Sequence, residues 1–328
     1  MSDYKGIQGT AVQNFAGDPD TPIIGQVWYN SLSGTFRYNE AAPQLGAWQT
    51  GGNLNTARSA LGGAGSTRDA ALAFGGSPPP APTAKAITES YNGTSWTEVN
   101  DLNTQRAFVA GAGTQTSAIA SGGDQYNGVS ESWNGTSWAS ITNEPDASNG
   151  YGAAGADSTN ALFFGGAPPA PATSATRYWN GSAWTALGNL STARSGILGA
   201  GKTHTAALAA GGQSGPTRYA FVESFNGSSW TEITDINTAR TFGGGTGTQT
   251  SALVFGGDIP PVSALTEEWN GTSWTETTDL STARGYLASA GANNLNALAA
   301  GGTTGSDTAA TEEWTGAGSP VTKTVTVS

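Results

Sequence analysis

The chain contains no cysteine and a single histidine, His204, among 328 residues. Without cysteine there are no disulfides, thiolate metal sites or Cys nucleophiles, and the protein can fold in a reducing cytoplasm. With one histidine a His-based general base, a triad or a multi-His metal site is impossible or very strained, so no metal and no cofactor is expected. Charge is also scarce, at 11% of residues, and the 13 basic against 24 acidic side chains leave a net charge of -11. Phosphate binding and anionic membranes need a basic face, so nucleic acid is an unfavourable partner. No apolar run reaches the roughly 18 residues of a membrane span. The polar start, Met1 to Gly6, lacks the apolar core of a secretory signal, so neither membrane insertion nor Sec export is expected.

What the chain has instead is glycine, 48 residues of it, and repetition. Ser90-Tyr91-Asn92-Gly93-Thr94-Ser95-Trp96 returns in near-copy at Ser132 to Trp138, Tyr178 to Trp184, Ser224 to Trp230 and Glu268 to Trp274. Asn-Gly between aromatic or β-branched residues predicts a strand, a two-residue turn and a second strand, because both turn residues accept φ > 0 cheaply. Each copy follows an apolar run ending in Gly-Gly, the six pairs beginning at Gly75, Gly122, Gly165, Gly211, Gly256 and Gly301, 43 to 47 residues apart. That period, made only of strands, belongs to four-stranded propeller blades.

The two ends of the array complement each other. Trp48 precedes Arg58 by ten residues, as Trp96 precedes Arg106, Trp184 precedes Arg194, Trp230 precedes Arg240 and Trp274 precedes Arg284. It therefore sits on a fourth strand with no first three strands upstream. The sixth unit reaches its Trp position and finds Ser319. The Trp48 strand is thus expected to complete the sixth blade and hide its edge. The alternating stretch Val321 to Val327 is also a strand, which would either take that fourth position or join Trp28 and Tyr38 in a seventh sheet.

With Gly-Gly on the second strand, an aromatic on the third and Trp on the fourth, residues 48 to 315 resemble the kelch repeat family. The resemblance implies an all-β, six-bladed kelch-like β-propeller, with seven blades as the alternative, preceded by an N-terminal arm and β-hairpin. The domains are placed at residues 1–46 and 47–328. The hairpin Gly25-Gln26-Val27-Trp28-Tyr29-Asn30 to Thr35-Phe36-Arg37-Tyr38-Asn39 is similar to a short aromatic module near the N-termini of tail-fibre and other virion proteins of tailed bacteriophages, over residues 17 to 50. It implies docking to other virion proteins through Trp28, Tyr29, Phe36 and Tyr38.

Few residues invite chemistry. Kelch-fold copper oxidases use a cysteine-linked tyrosine and histidine ligands, which this chain lacks, so no enzyme is expected. Glu89, Glu131, Glu223, Glu267 and Glu312 occupy one repeated register, whereas a glycosidase needs one unlike pair at a defined separation; they read as a solvent-facing or axial rim. Arg58, Arg106, Arg194, Arg240 and Arg284 read as carbonyl caps or as carboxylate partners between blades. Trp48, Trp96, Trp138, Trp184, Trp230 and Trp274 read as packing between blades. In the third repeat Glu144 to Gly150 replaces Thr-Ala-Arg, so that loop is expected to be irregular.

Loops that differ between repeats are freer to bind. Pro78, Pro79, Pro80 and Pro82, then Pro168, Pro169 and Pro171, then Pro260 and Pro261 follow the first, third and fifth Gly-Gly only. The residue before Gly-Gly alternates in step: Phe74, Phe164 and Phe255 against Ser121, Ala210 and Ala300. A two-blade unit repeated three times is expected, with a Phe beneath each proline loop, facing a trimeric neighbour or three equivalent ligand contacts. The resulting expectation is a non-enzymatic virion appendage, made in the host cytoplasm, whose propeller binds protein or host-surface polysaccharide. The alternative is an extracellular lectin-like adhesin.

Overall fold

The computed structural model describes residues 13–16, 27–40, 46–77, 83–125, 128–167, 171–317 and 321–324, and every regular element among them is a strand. Two units are separated by their contacts: Ala47–Thr315, and a smaller one of Met1–Gly46 with Gly316–Ser328. The C-terminal stretch, placed with the propeller on sequence grounds, therefore belongs to the smaller unit.

In the larger unit six four-stranded antiparallel sheets form the blades. Blade 1 runs Gly62–Thr67, Ala70–Phe74, Thr88–Tyr91 and Trp96–Val99; blade 2 runs Ala110–Gly113, Ala118–Ser121, Ser130–Trp133 and Trp138–Ile141. Blade 3 is Gly152–Asp157, Asn160–Phe164, Thr176–Trp179 and Trp184–Ala186, and blade 4 is Leu198–Thr203, Ala206–Ala210, Val222–Phe225 and Trp230–Ile233. Blade 5 is Gly244–Thr248, Ser251–Phe255, Thr266–Trp269 and Trp274–Glu276. Blade 6 combines Ala288–Asn293, Asn296–Ala300 and Thr311–Thr315 with Ala47–Thr50. The first strand of each blade touches that of the next, and blade 6 returns to blade 1, so the ring is closed. Second strands are buried along almost their whole length, as in Ala71 to Phe74, because a neighbouring blade covers each face. A strand covered on both faces reads as a continuous apolar run, which is why the six stretches before Gly-Gly look alike.

The ring closes as the Trp48 register requires. Trp48 pairs with Trp314, and its indole N–H donates to Thr266 Oγ1 of blade 5 at 3.0 Å. Val321–Thr324 instead pairs with Thr35–Glu40 in a sheet that also holds Val27–Asn30 and Gln13–Phe15. In the smaller unit Trp28 is fully buried and is a core residue, not the docking side chain expected.

The Asn-Gly turns differ from expectation. Tyr91 pairs with Trp96, so four residues, not two, lie between the strands. Only the glycine takes φ > 0 (87° at Gly93), while Asn92 Oδ1 accepts the N–H of Thr94 at 3.0 Å and of Ser95 at 2.9 Å. Asn134, Asn180, Asn226 and Asn270 do the same. Asparagine is there for its side-chain acceptor.

Carboxylates expected at a solvent-facing or axial rim are buried. In five blades the arginine of the loop leading into the first strand meets the glutamate of the third strand, both at 4% exposure or less. Arg58 Nη1 lies 2.8 Å from Glu89 Oε1, and Arg106 and Arg284 lie 3.1 Å from Glu131 and Glu312. Glu89 Oε2 accepts the Asn55 main-chain N–H at 2.7 Å, and the Arg58 carbonyl accepts Gly302 N–H from blade 6 at 2.9 Å. One pair thus fastens the loop to its own blade and to the preceding one. Burial pulls Arg58, Arg240 and Arg284 down from the ordinary arginine value and Arg106 to about 10, with the facing carboxylate opposing the shift. Blade 3 reverses the polarity: Arg177 occupies the glutamate register and reaches Asp146 Oδ1 of the irregular loop at 2.7 Å.

The alternation before Gly-Gly has its cause between blades. Phe74, Phe164 and Phe255 pack on Trp138, Trp230 and Trp48 of the following blade, ring centres 4.8–5.0 Å apart; the proline loops expected over Phe74 and Phe164 lie largely outside the described residues. Each Phe lies opposite a glycine, Gly62, Gly152 or Gly244, whereas Ser121, Ala210 and Ala300 lie opposite Ala110, Leu198 and Ala288. A Cβ at Gly152 would stand 2.3 Å from the Phe164 ring, so phenylalanine and glycine are selected together.

Trp48→Ala is expected to destabilise the propeller by about 3 kcal/mol, the low end for a tryptophan that stays partly exposed. Deleting residues 321–328, of which Val321–Thr324 pair outside the ring, should lower its melting temperature less; the reverse ranking would contradict the closure described. Glu267→Gln, which leaves Arg240 buried without a counter-charge, should cost roughly 3–5 kcal/mol in urea denaturation, and Arg240→Met with Glu267→Leu should recover most of it.

Candidate ligand-binding face and axial chamber

Two residues after each leading-loop arginine register, the backbone turns left-handed in every blade. The positions are Ala60 (φ 53°), Phe108 (56°), Gly150 (62°), Gly196 (64°), Phe242 (53°) and Tyr286 (58°). Main-chain bonds run round the axis between them: Ala60 N–H to Tyr286 O, Phe108 to Ala60, Gly196 to Gly150, Phe242 to Gly196 and Tyr286 to Phe242, at 2.7–2.9 Å. Glycine meets this demand without strain in two blades. A bulky side chain there is an outlier costing about 1 kcal/mol or more. Three blades nevertheless place aromatic rings at this mouth of the ring, and the rings meet: Phe242 stacks on Tyr286 at 4.6 Å, and Phe108 stands edge-on to both at 6.0 and 5.9 Å.

The connections between second and third strands leave from the same face. In blade 4 this connection is a small hairpin, Gln213–Ser214 with Thr217–Arg218. Arg218 reaches Asp258 Oδ2 of blade 5 at 3.0 Å, and the Tyr286 hydroxyl donates to the same carboxylate oxygen at 3.4 Å. Burial, then the Asp258 charge, raises the Tyr286 pKa. Tyr219 and Phe221 stack at 4.9 Å beyond the arginine. This face therefore combines half-buried aromatic rings with a partly exposed ion pair, the composition of a small-ligand or glycan surface.

Among the proline-loop residues Pro171, Pro260 and Pro261 are exposed, while Pro78, Pro79, Pro80, Pro82, Pro168 and Pro169 lie outside the described residues. Trp96, Trp138 and Trp274 are buried and Trp48, Trp184 and Trp230 half-buried in the packing between blades. In the smaller unit Tyr29 packs on Phe36 at 5.2 Å; Phe36 is 47% exposed, and the Tyr38 side chain lies outside the described residues. His204 stacks on Tyr178 at 4.0 Å and bonds Asn160 Oδ1 at 2.8 Å. Among the described residues no cluster of His, Asp or Glu could hold a metal ion.

Beneath the aromatic mouth lies a chamber of about 160 Å³ on the axis, walled by Gly63, Gly111, Ala153, Gly199, Gly245, Ser289 and their strand neighbours. The wall must be small because the first strands touch: a Cβ on Gly111 would stand 2.4 Å from Gly63 O. At the other end Lys202 crosses from blade 4, its ammonium donating to Gly65 O of blade 1 at 3.4 Å and to Gly291 O of blade 6. Burial pulls its pKa down to about 8. Phe108, Phe242, Tyr286, Arg218 and Lys202 were not singled out from sequence. For the three aromatics the signal was present: aligning the residue two after each arginine register shows glycine twice and an aromatic three times.

No protein-family model matches the chain, and no curated protein matches it in sequence. A solved structure titled "Structure of YjhT" is similar, with a TM-score of 0.63 at 15% identity, covering 79% of this chain and 95% of that one. The likeness is one of fold, a kelch-like β-propeller.

Lys202 gives the stability a definite pH dependence. The folded chain releases this proton near pH 8 and the unfolded chain near 10.5. Between those values the unfolded state binds more protons, so stability rises with pH. Urea midpoints of the wild type relative to Lys202→Met should climb from about pH 8 to 10.5; a flat difference would place the ammonium in water.

Proposed function

We propose that this chain is a non-enzymatic appendage protein of a tailed-phage particle, docked by its smaller unit and displaying a propeller for protein or host-surface glycan binding. One observation carries the docking half. The exposed large hydrophobic side chains among the described residues are Leu32, at 80%, and Phe36, at 47%, and both lie on the hairpin whose sequence resembles virion modules. Exposed apolar side chains grouped on one small element mark a protein contact. The propeller supplies the display half, since its aromatic mouth and the Arg218–Asp258 pair are not needed by the repeat. The five glutamates of the repeated register are engaged by buried arginines, which supports the non-enzymatic reading. The same aromatic face supports a second reading, a free lectin-like adhesin that uses no particle.

Leu32→Ser with Phe36→Ser should leave the melting temperature of the propeller unchanged while incorporation into particles falls at least tenfold, as should removal of residues 1–24. Measured by immunoblot of purified particles, normal incorporation of both variants would discard the virion reading. Polysaccharide binding by the free protein together with that result would favour the adhesin.

A further inference from the structure

The interior of the propeller treats its cations unequally. Arg58, Arg106, Arg194, Arg240 and Arg284 each face a buried glutamate, and Arg177 faces Asp146. Lys202 alone among these inward cations has no carboxylate, only the carbonyls of Gly65 and Gly291. The titratable groups lining the chamber with it are Tyr151 and Tyr286, and their hydroxyls are directed to Glu144 and Asp258. Lys202 is half-buried, and a charge partly withdrawn from water without a counter-charge is costly, which natural proteins resolve by pairing. Nor does the repeat require lysine here: the same register holds Ser66, Thr114, Ala156, Thr248 and Ala292 in the other blades.

The chamber has the other properties of an anion site. Each first strand is the edge strand of its sheet and faces the axis, so it presents main-chain N–H groups with no strand partner on that side. The two ends differ in character, an ammonium at one and the rings of Phe108, Phe242 and Tyr286 at the other. A chamber of about 160 Å³ holds several heavy atoms, given that a water occupies about 30 Å³ of liquid. One positive charge calls for one negative charge, and an apolar far end calls for a short hydrocarbon rather than a halide or a phosphate. We propose that the axial chamber binds a small aliphatic monocarboxylate, its carboxylate on the Lys202 ammonium and its alkyl end directed along the axis toward the three aromatic rings.

The test is calorimetric titration of the full chain at constant ionic strength with sodium propionate, sodium chloride and uncharged propionamide. Saturable one-to-one binding of propionate is expected, with chloride and propionamide at least tenfold weaker and Lys202→Met at least tenfold weaker for propionate. Equal binding of propionamide, or preference for chloride, overturns the carboxylate assignment; undiminished propionate binding by Lys202→Met overturns the role of the ammonium. Should that variant fail to fold, the wild type decides alone, because propionate affinity must fall at least tenfold once Lys202 loses its proton at high pH. An affinity that stays constant to pH 10.5, or no saturable binding at any pH, leaves Lys202 as a plug between carbonyls and the proposal refuted.

Discussion

Five of the six blades depend on one buried charge pair. The residues leading into a first strand have no regular secondary structure of their own, yet they must cross from the rim of one blade to the axis of the next. Asn55 to Ala60 manage this because Glu89 takes both the Arg58 guanidinium and the Asn55 N–H, and Arg58 O takes Gly302 N–H. Desolvating two ions is unfavourable by itself. Here the cost is met by geometry, since the same carboxylate and guanidinium satisfy main-chain donors and acceptors that would otherwise be orphaned in the interface. Blade 3 demonstrates that polarity is free while pairing is not: Arg177 takes the glutamate register, Asp146 of the leading loop answers it, and the loop keeps its place.

A second constraint acts between blades. Phenylalanine before Gly-Gly needs glycine opposite and the next blade's tryptophan beside it, so three positions on three strands vary together. This is a packing rule with two solutions, and the chain alternates them around the ring. The proline loops alternate in the same phase, which ties the surface pattern to an interior one.

Much of the architecture was legible because it repeats. Gly-Gly, the third-strand aromatic and the fourth-strand tryptophan recur at near-constant spacing, and the Trp48 register identified the closing strand. Single-copy features escaped. Lys202 is one lysine in a sequence with no second copy to align, and its isolation from carboxylates is a three-dimensional fact. The glutamates were legible as a register and not as buried, since a charged residue at a fixed place looks the same on a rim as in an interface; only the arginine partner, some 25 to 31 residues upstream, distinguishes the two. The Asn-Gly turn was misjudged for a different reason. Asparagine serves both positive-φ turns and side-chain acceptor turns, and the dipeptide does not say which.

Burying arginines has a consequence for colloidal behaviour. The five pairs remove equal numbers of basic and acidic residues from contact with a partner. The side chains outside them therefore carry the whole formal net charge of -11. At low ionic strength neighbouring copies repel, and at 0.1 M salt approach to a polyanionic surface is opposed only within the Debye length of about 10 Å. Such a coat keeps crowded copies of the chain from adhering to one another.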